Sequence, residues 1–376
     1  MVSSVTGYGS TSYLLNTATT STTSGTTSGT AAATAYGQSS AAGSTGGSSV
    51  NVTLSAEAQA ALAAQTDTRT TDAVVADARS ALDKLLAGAK ATSALKNGQA
   101  TIDVSGLDRR SLYAIASNKG GKFTIEEQVV ATLQMKATRD ASLSASASAM
   151  RVTGDYAGLY KAALANLEAA GPEEKASGQW AKDKAALTEG LKQATAKPGV
   201  QPSGIEDDPV AAYLKDVGGV VANPRTRDIT KVASDVRTVL DKQYASATGD
   251  GMATSPDEGI IDFSKFDDRS LAAVALNKGG QFSEHEIAQA AAEVKTRNRD
   301  SVSNAYKGAQ ADGSAFGKSL LTQYAAMSDE ERQAAGWTPA LYDKMVAMQN
   351  LSDKLAALFN PDGSVNTGGS SLLDYI

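Results

Sequence analysis

The chain has 376 residues, a formal net charge of −6, a pI of about 5.1, no cysteine and one histidine. That balance disfavours a nucleic-acid partner, which needs a basic stripe along the phosphates; here lysine and arginine are interleaved with acids. Without cysteine there is no disulfide, thiolate metal site or cysteine nucleophile, and no segment reaches the roughly 18 consecutive apolar residues that span a bilayer, so no membrane insertion is expected.

From Met1 to Ala56 the sequence is mostly Ser, Thr, Gly and Ala, and no charged residue precedes Glu57. So little apolar bulk cannot offset the entropy of ordering a chain, so residues 1–70 are expected to be a disordered leader. It carries one short Ala-rich helix near 55–64, with Ser55 as N-cap. The first twenty residues lack the basic and apolar regions of a secretory signal, so any export follows a non-Sec route.

From Thr71 to Phe359 apolar residues recur at helical spacing, and the segment repeats itself. Ile102 to Phe123 reads IDVSGLDRRSLYAIASNKGGKF and Ile261 to Phe282 reads IDFSKFDDRSLAAVALNKGGQF, with 14 of 22 positions identical at an offset of 159. Upstream, helices are expected over Asp72–Ala87 and Asp228–Tyr244, where Asp77, Arg79, Leu82, Asp83 and Lys84 match Asp235, Arg237, Leu240, Asp241 and Lys242. Downstream, long helices are expected from Ile125 to about Met150 and from Glu284 to about Lys307, after which Asp155–Trp180 aligns with Asp312–Trp337. Ser328 and Glu331 have the spacing of a capping box, and Pro209 and Pro339 stand at first helical positions. The paired acids Glu173-Glu174 and Glu330-Glu331 are assigned to helix starts, where the macrodipole favours them. A final helix over Pro339–Phe359 places Leu341, Met345, Met348, Leu355 and Leu358 on one apolar face. The turn-rich residues 197–204, reading KPGVQPSG, mark a boundary. The expected architecture is all-α: two tandem homologous helical domains, 71–197 and 223–359, joined by a linker at 198–222. A flexible tail follows at 360–376.

Within the repeated stretch, Ser105 or Asp108, and Ser264 or Asp267, cap a short helix, Arg109–Ser117 or Asp268–Leu276. Asn-Lys-Gly-Gly ends it, with Gly121 and Gly280, or the glycine before each, supplying the left-handed residue. Very short β bridges are expected between 102–104 and 122–124 and between 261–263 and 281–283. A helix followed by a loop with Gly at the sixth position, an apolar eighth, a hydroxyl ninth and Glu twelfth resembles the EF-hand family over Ala116–Glu127 and Ala275–Glu286. The resemblance implies calcium as the ion and Asn118, Thr124, Glu127, Asn277, Ser283 and Glu286 as ligands. Asp262 joins them from an upstream segment, Asp257–Phe266, that resembles the second half of such a loop. The sequence departs from the family at the first position, Ala116 or Ala275, at the fifth, Gly120 or Gly279, and at Lys265, the twelfth of the upstream segment, so the likeness is read as one of shape and no cofactor is expected, with a weak calcium site as the alternative.

No catalytic residue stands out. His285 has no second histidine for a zinc pair, and neither a phosphate loop nor a dinucleotide fingerprint occurs. The chain is read as non-enzymatic. The uncharged leader, the lack of cysteine, the few aromatics and the junction SVNVTLSAEAQAAL resemble exported bacterial proteins of the flagellar axis and cell surface. The terminal LLDYI resembles the C-terminal signals of type I secretion. These resemblances imply a secreted or surface protein with protein partners. The other readings are a calcium-binding regulatory module and an intracellular, cytoplasmic two-domain adaptor.

Overall fold

A computed structural model describes residues 67–217, 224, 227–248, 261–308 and 313–347, and they are helical apart from turns and one small hairpin. The expected leader up to residue 66, its helix at 55–64, the tail at 360–376 and the last helix beyond residue 347 lie outside the described residues.

Helix α1, Thr71–Ala89, starts where the Thr70 side chain accepts the Ala73 amide and buries Val74, Val75, Ala78 and Leu82. It stops at Lys90, which adopts the left-handed conformation. Strands β1 (Leu95–Lys96) and β2 (Gln99–Ala100) pair antiparallel across Asn97-Gly98, both at positive φ (50° and 77°), as a two-residue hairpin of the Asn-Gly type requires. Helix α2 (Arg109–Ala116) is capped by Asp108, whose carboxylate accepts both the amide (2.9 Å) and the hydroxyl (2.8 Å) of Ser111. A capping box of Thr124 and Glu127 opens α3, Ile125–Thr153, a helix of 29 residues and so about 44 Å.

Helix α3 belongs to two cores. Its first half contributes Ile125, Val129, Val130 and Ala131 to a core with α1 and α2. Its second half contributes Leu143, Ala147 and Met150 to a core with α4 (Tyr156–Glu168), α6 (Gly178–Ala196) and α7 (Pro209–Val217). Span 198–222 thus contains a packed helix, with Val210 and Tyr213 buried. In this second core the Tyr160 hydroxyl donates to the buried Asp208 carboxylate. A Cβ on Gly190 would come within 2.0 Å of the Tyr160 ring, so only glycine admits it. The short helix α5, Pro172–Lys175, is held to α2 by ion pairs: Glu173 to Arg110 (2.5 Å) and Glu174 to Arg109 (2.7 Å). The macrodipole is therefore only part of what these acids answer to.

The second copy repeats the first at its main core positions. Helices α8 (Ile229–Thr248), α9 (Asp268–Ala275) and α10 (Glu284–Gly308) enclose Val232, Val236, Leu240, Leu271, Val274 and Phe282. These align with Val74, Ala78, Leu82, Leu112, Ile115 and Phe123 of the first core. The capping box at Ser328 and Glu331 is present, opening α12, Asp329–Ala335. The β bridges expected at 102–104 with 122–124 and at 261–263 with 281–283 are absent, because the amides that would form them are taken by side chains. Phe123 and Thr124 donate to Asn118 and Glu127 (3.0 and 2.8 Å), and Phe282 and Ser283 to Asn277 and Glu286 (3.1 and 2.7 Å).

The end of the second copy packs on the first. Leu321 and Tyr324 of α11 (Gly313–Ala326), with Trp337, Tyr342 and Met345, lie in the core of α1, α2 and α3. Residues 339–347 are helical. Their Tyr342 hydroxyl donates to the Leu95 carbonyl at 3.2 Å in a buried setting, and the Lys318 ammonium donates to the Ala116 carbonyl. Leu321 is fully buried there. Leu321→Ala is expected to cost about 2–5 kcal/mol, read from the denaturant midpoint. It should lower hydrogen-exchange protection in α1 and α2, far away in sequence; loss confined to α11 and α12 would contradict the shared core.

Candidate functional site: two arginine-clamped loops

Helix α2 ends at Ser117, and Asn118, at φ 49°, is the left-handed residue that turns the chain. In the second copy Asn277, at φ 47°, does the same after Leu276. The expected glycines come later: Gly120, Gly121, Gly279 and Gly280 all have positive φ and continue the turn. Asparagine serves at the first position because its short side chain tolerates the left-handed region. It also answers a local need, since its Oδ1 accepts the Phe123 or Phe282 amide.

Each loop closes on a buried glutamate. Glu127 is 4% exposed and Glu286 2%. One carboxylate oxygen takes the amide of the N-cap residue, Thr124 at 2.8 Å or Ser283 at 2.7 Å, and the cap hydroxyl takes the glutamate amide in return. A buried carboxylate also needs a cation, and an arginine from the preceding helix supplies it. Arg79 Nη1 and Nη2 each donate to Glu127 at 2.7 Å, and Nη1 also reaches the Lys122 carbonyl at 3.2 Å. Asp83, one turn on in α1, takes Nε and Nη2 at 3.1 and 2.8 Å. The Phe123 ring lies 5.6 Å from the guanidinium carbon.

The second loop repeats this arrangement with Arg237. Its Nη1 stands 2.8 Å from both Glu286 oxygens and 3.4 Å from the Gln281 carbonyl, while Nε donates to Asp241 at 2.8 Å and Phe282 lies 5.8 Å away. One addition is Tyr244, where the first copy has Leu86; burial, and then the Glu286 charge, push its phenol up to about 12. Burial alone would raise the Glu286 carboxyl. The Ser283 amide and the Arg237 guanidinium outweigh it and hold that carboxyl below its ordinary value. The Glu127 carboxylate, in turn, raises Arg79 above the usual guanidinium range.

The structure thus brings Asn118, Thr124 and Glu127 into one loop and Asn277, Ser283 and Glu286 into another, each side chain hydrogen-bonded within the protein. Asp262 stands apart: its carboxylate accepts the Ser264 amide at 2.9 Å, and its backbone pairs with the Gln243 side chain. His285 meets Gln289 at 2.8 Å. The arginines and their Asp partners were visible as repeated residues. Their role was not, because the glutamates they hold lie 48 and 49 residues on. Among the described residues no cluster of three or more His, Asp or Glu is placed to hold a metal ion.

Because the folded Glu286 has the lower pKa, its stabilisation is fully present above the unfolded value of about 4.3 and is lost as pH falls through the folded one. Thermal melts between pH 7 and pH 2 should therefore show a fall in melting temperature beginning below about pH 5, and Glu286→Gln should flatten that part of the curve while lowering the plateau. An unchanged acid limb in the variant would contradict the assignment.

No family model matches the chain, and comparison with curated proteins and with solved structures gave no match. The reading of the site accordingly rests on the geometry that the two copies share.

Proposed function

We propose that this chain is a non-enzymatic helical protein with a structural or interaction role at a bacterial cell surface or flagellum, reached by a non-Sec route. The observation that carries the reading is the contrast between residues 1–56, which contain no charged side chain, and a duplicated helical body of mixed charge. A segment of that composition has no core to build, and it suits passage through an export channel or contact with a partner better than folding. The body adds a congruent surface: α3 exposes Ala141, Ser144, Ala145, Ser148, Ala149 and Val152 at helical spacing, and Val152 is 86% exposed.

The buried polar groups fit the same reading. Arg79, Arg110 and Arg237 are each tied to acids that hold helices together, Arg110 with a side chain only 5% exposed. Such networks fix geometry. An adaptor with two separable halves is less well supported, because residues 321–345 of the second copy help to fill the core of the first.

Cell fractionation of a bacterium expressing the full chain and a variant lacking residues 1–56 tests the proposal. The full chain is expected in the medium or the surface fraction, and the shortened one in the cytoplasm. A full chain found only in the cytoplasm, with no dependence on any secretion system, would overturn it.

A further inference from the structure

We infer that Arg79 and Arg237 are resident cations, each occupying the place that a calcium ion takes in an EF-hand loop, so that both loops are held closed without any divalent ion. The argument is positional. An EF-hand loop offers its ion a backbone carbonyl from the seventh position and both carboxylate oxygens of a twelfth-position glutamate. Counted from Ala116, those are the Lys122 carbonyl and Glu127, and Arg79 donates to all three oxygens. Counted from Ala275, they are the Gln281 carbonyl and Glu286, and Arg237 sits against the same three. Two loops that share only part of their sequence present the same three oxygens to an arginine, through Nη1 and Nη2 in the first and through Nη1 alone in the second.

The remaining positions agree with it. The third-position oxygen, on Asn118 or Asn277, accepts the eighth-position amide, and the ninth-position hydroxyl caps the next helix. The first and fifth positions are Ala and Gly, which bring no side-chain oxygen. A divalent ion needs six to eight oxygens, and in these loops it would have to displace a guanidinium from the twelfth-position carboxylate. The exchange also changes what the loop does. A calcium ion comes and goes with its concentration, whereas a guanidinium is covalently attached and stays protonated at any physiological pH. The loops then act as fixed joints between α1 and α3 and between α8 and α10, and carry no ion signal.

The test uses the full chain. Melting temperature and titration heat should be the same in millimolar calcium and in excess chelator, and the side-chain Nε–H resonances of Arg79 and Arg237 should not move between the two. Calcium-dependent heat, a raised melting temperature or a shift of either resonance would overturn the inference. Arg79→Met and Arg237→Met should each lower the melting temperature by about 6–12 °C. Arg79→Lys, which keeps the charge and loses the fork, should fall between wild type and Arg79→Met. If the methionine variants do not fold, Arg79→Lys and Arg237→Lys serve alone; variants as stable as wild type would overturn the inference.

Discussion

A carboxylate withdrawn from water has to be met by charge and by hydrogen bonds, and much of this structure follows from meeting that demand twice. Glu127 and Glu286 are buried at the start of long helices. The capping amide satisfies one lone pair, and the rest of the charge needs a cation brought from elsewhere in the chain. Once Arg79 and Arg237 supply it, the preceding helix is locked against the loop and the angle between the two helices is set. Breaking such a pair costs about 3–5 kcal/mol, because the abandoned charge stays buried. That asymmetry makes the clamp a constraint on geometry more than a source of net stability.

A second set of pairs works at the next level of assembly. Arg109 and Arg110 hold α5 against α2, and in the second copy Arg269 approaches Glu330 at 3.8 Å between α9 and α12. The position of Arg109 is taken by Asp268, which pairs instead with Arg297 at 2.9 Å. The element joined to the short helix is thus kept in both copies while the individual charges are rearranged. Few of these pairs are fully exposed, where they would contribute little.

The long helices and the caps at Asp108, Asp267 and Ser328 were legible in the sequence, because each is a local rule with a period or a fixed offset; the residues that end α2 and α9 were not, since Asn118 and Asn277 take the place expected of a glycine. The bridges at 102–104 and 261–263 were misjudged for a local reason as well: a strand needs free amides, and Asn118, Glu127, Asn277 and Glu286 take them. The hairpin that does form follows from Asn97-Gly98, a turn signal in a stretch with too little alternation to draw attention. The clamp was half legible, since the duplication marks Arg79 and Arg237 but does not say which acid they meet. What helical periodicity could not supply was the address of an apolar face. Nothing in the spacing of Leu321 and Tyr324 says that the core they fill is the other copy's.

That address is written in the differences between the copies. Helix α3 brings Val129, Val130 and Leu133 to the core it shares with α11; the aligned residues of α10 are Ala288, Gln289 and Ala292, of which the alanines are exposed. Gly98, which lets Tyr324 approach so closely that a Cβ would stand 2.6 Å from its ring, aligns with Asp257. The donor elements diverge in parallel. Trp180 turns its indole N–H to the Leu167 carbonyl within the first copy (3.0 Å), whereas Trp337 stacks on Tyr324 at 6.1 Å in the shared core. Identical units joined head to tail would present the same acceptor face at both positions and could recruit further copies without end. Here the second copy carries two exposed alanines and Gln289 at the aligned positions, too little apolar bulk to repeat that contact. Among the described residues, the face of the first copy that shares a core with α11 is therefore not matched at the aligned positions of the second.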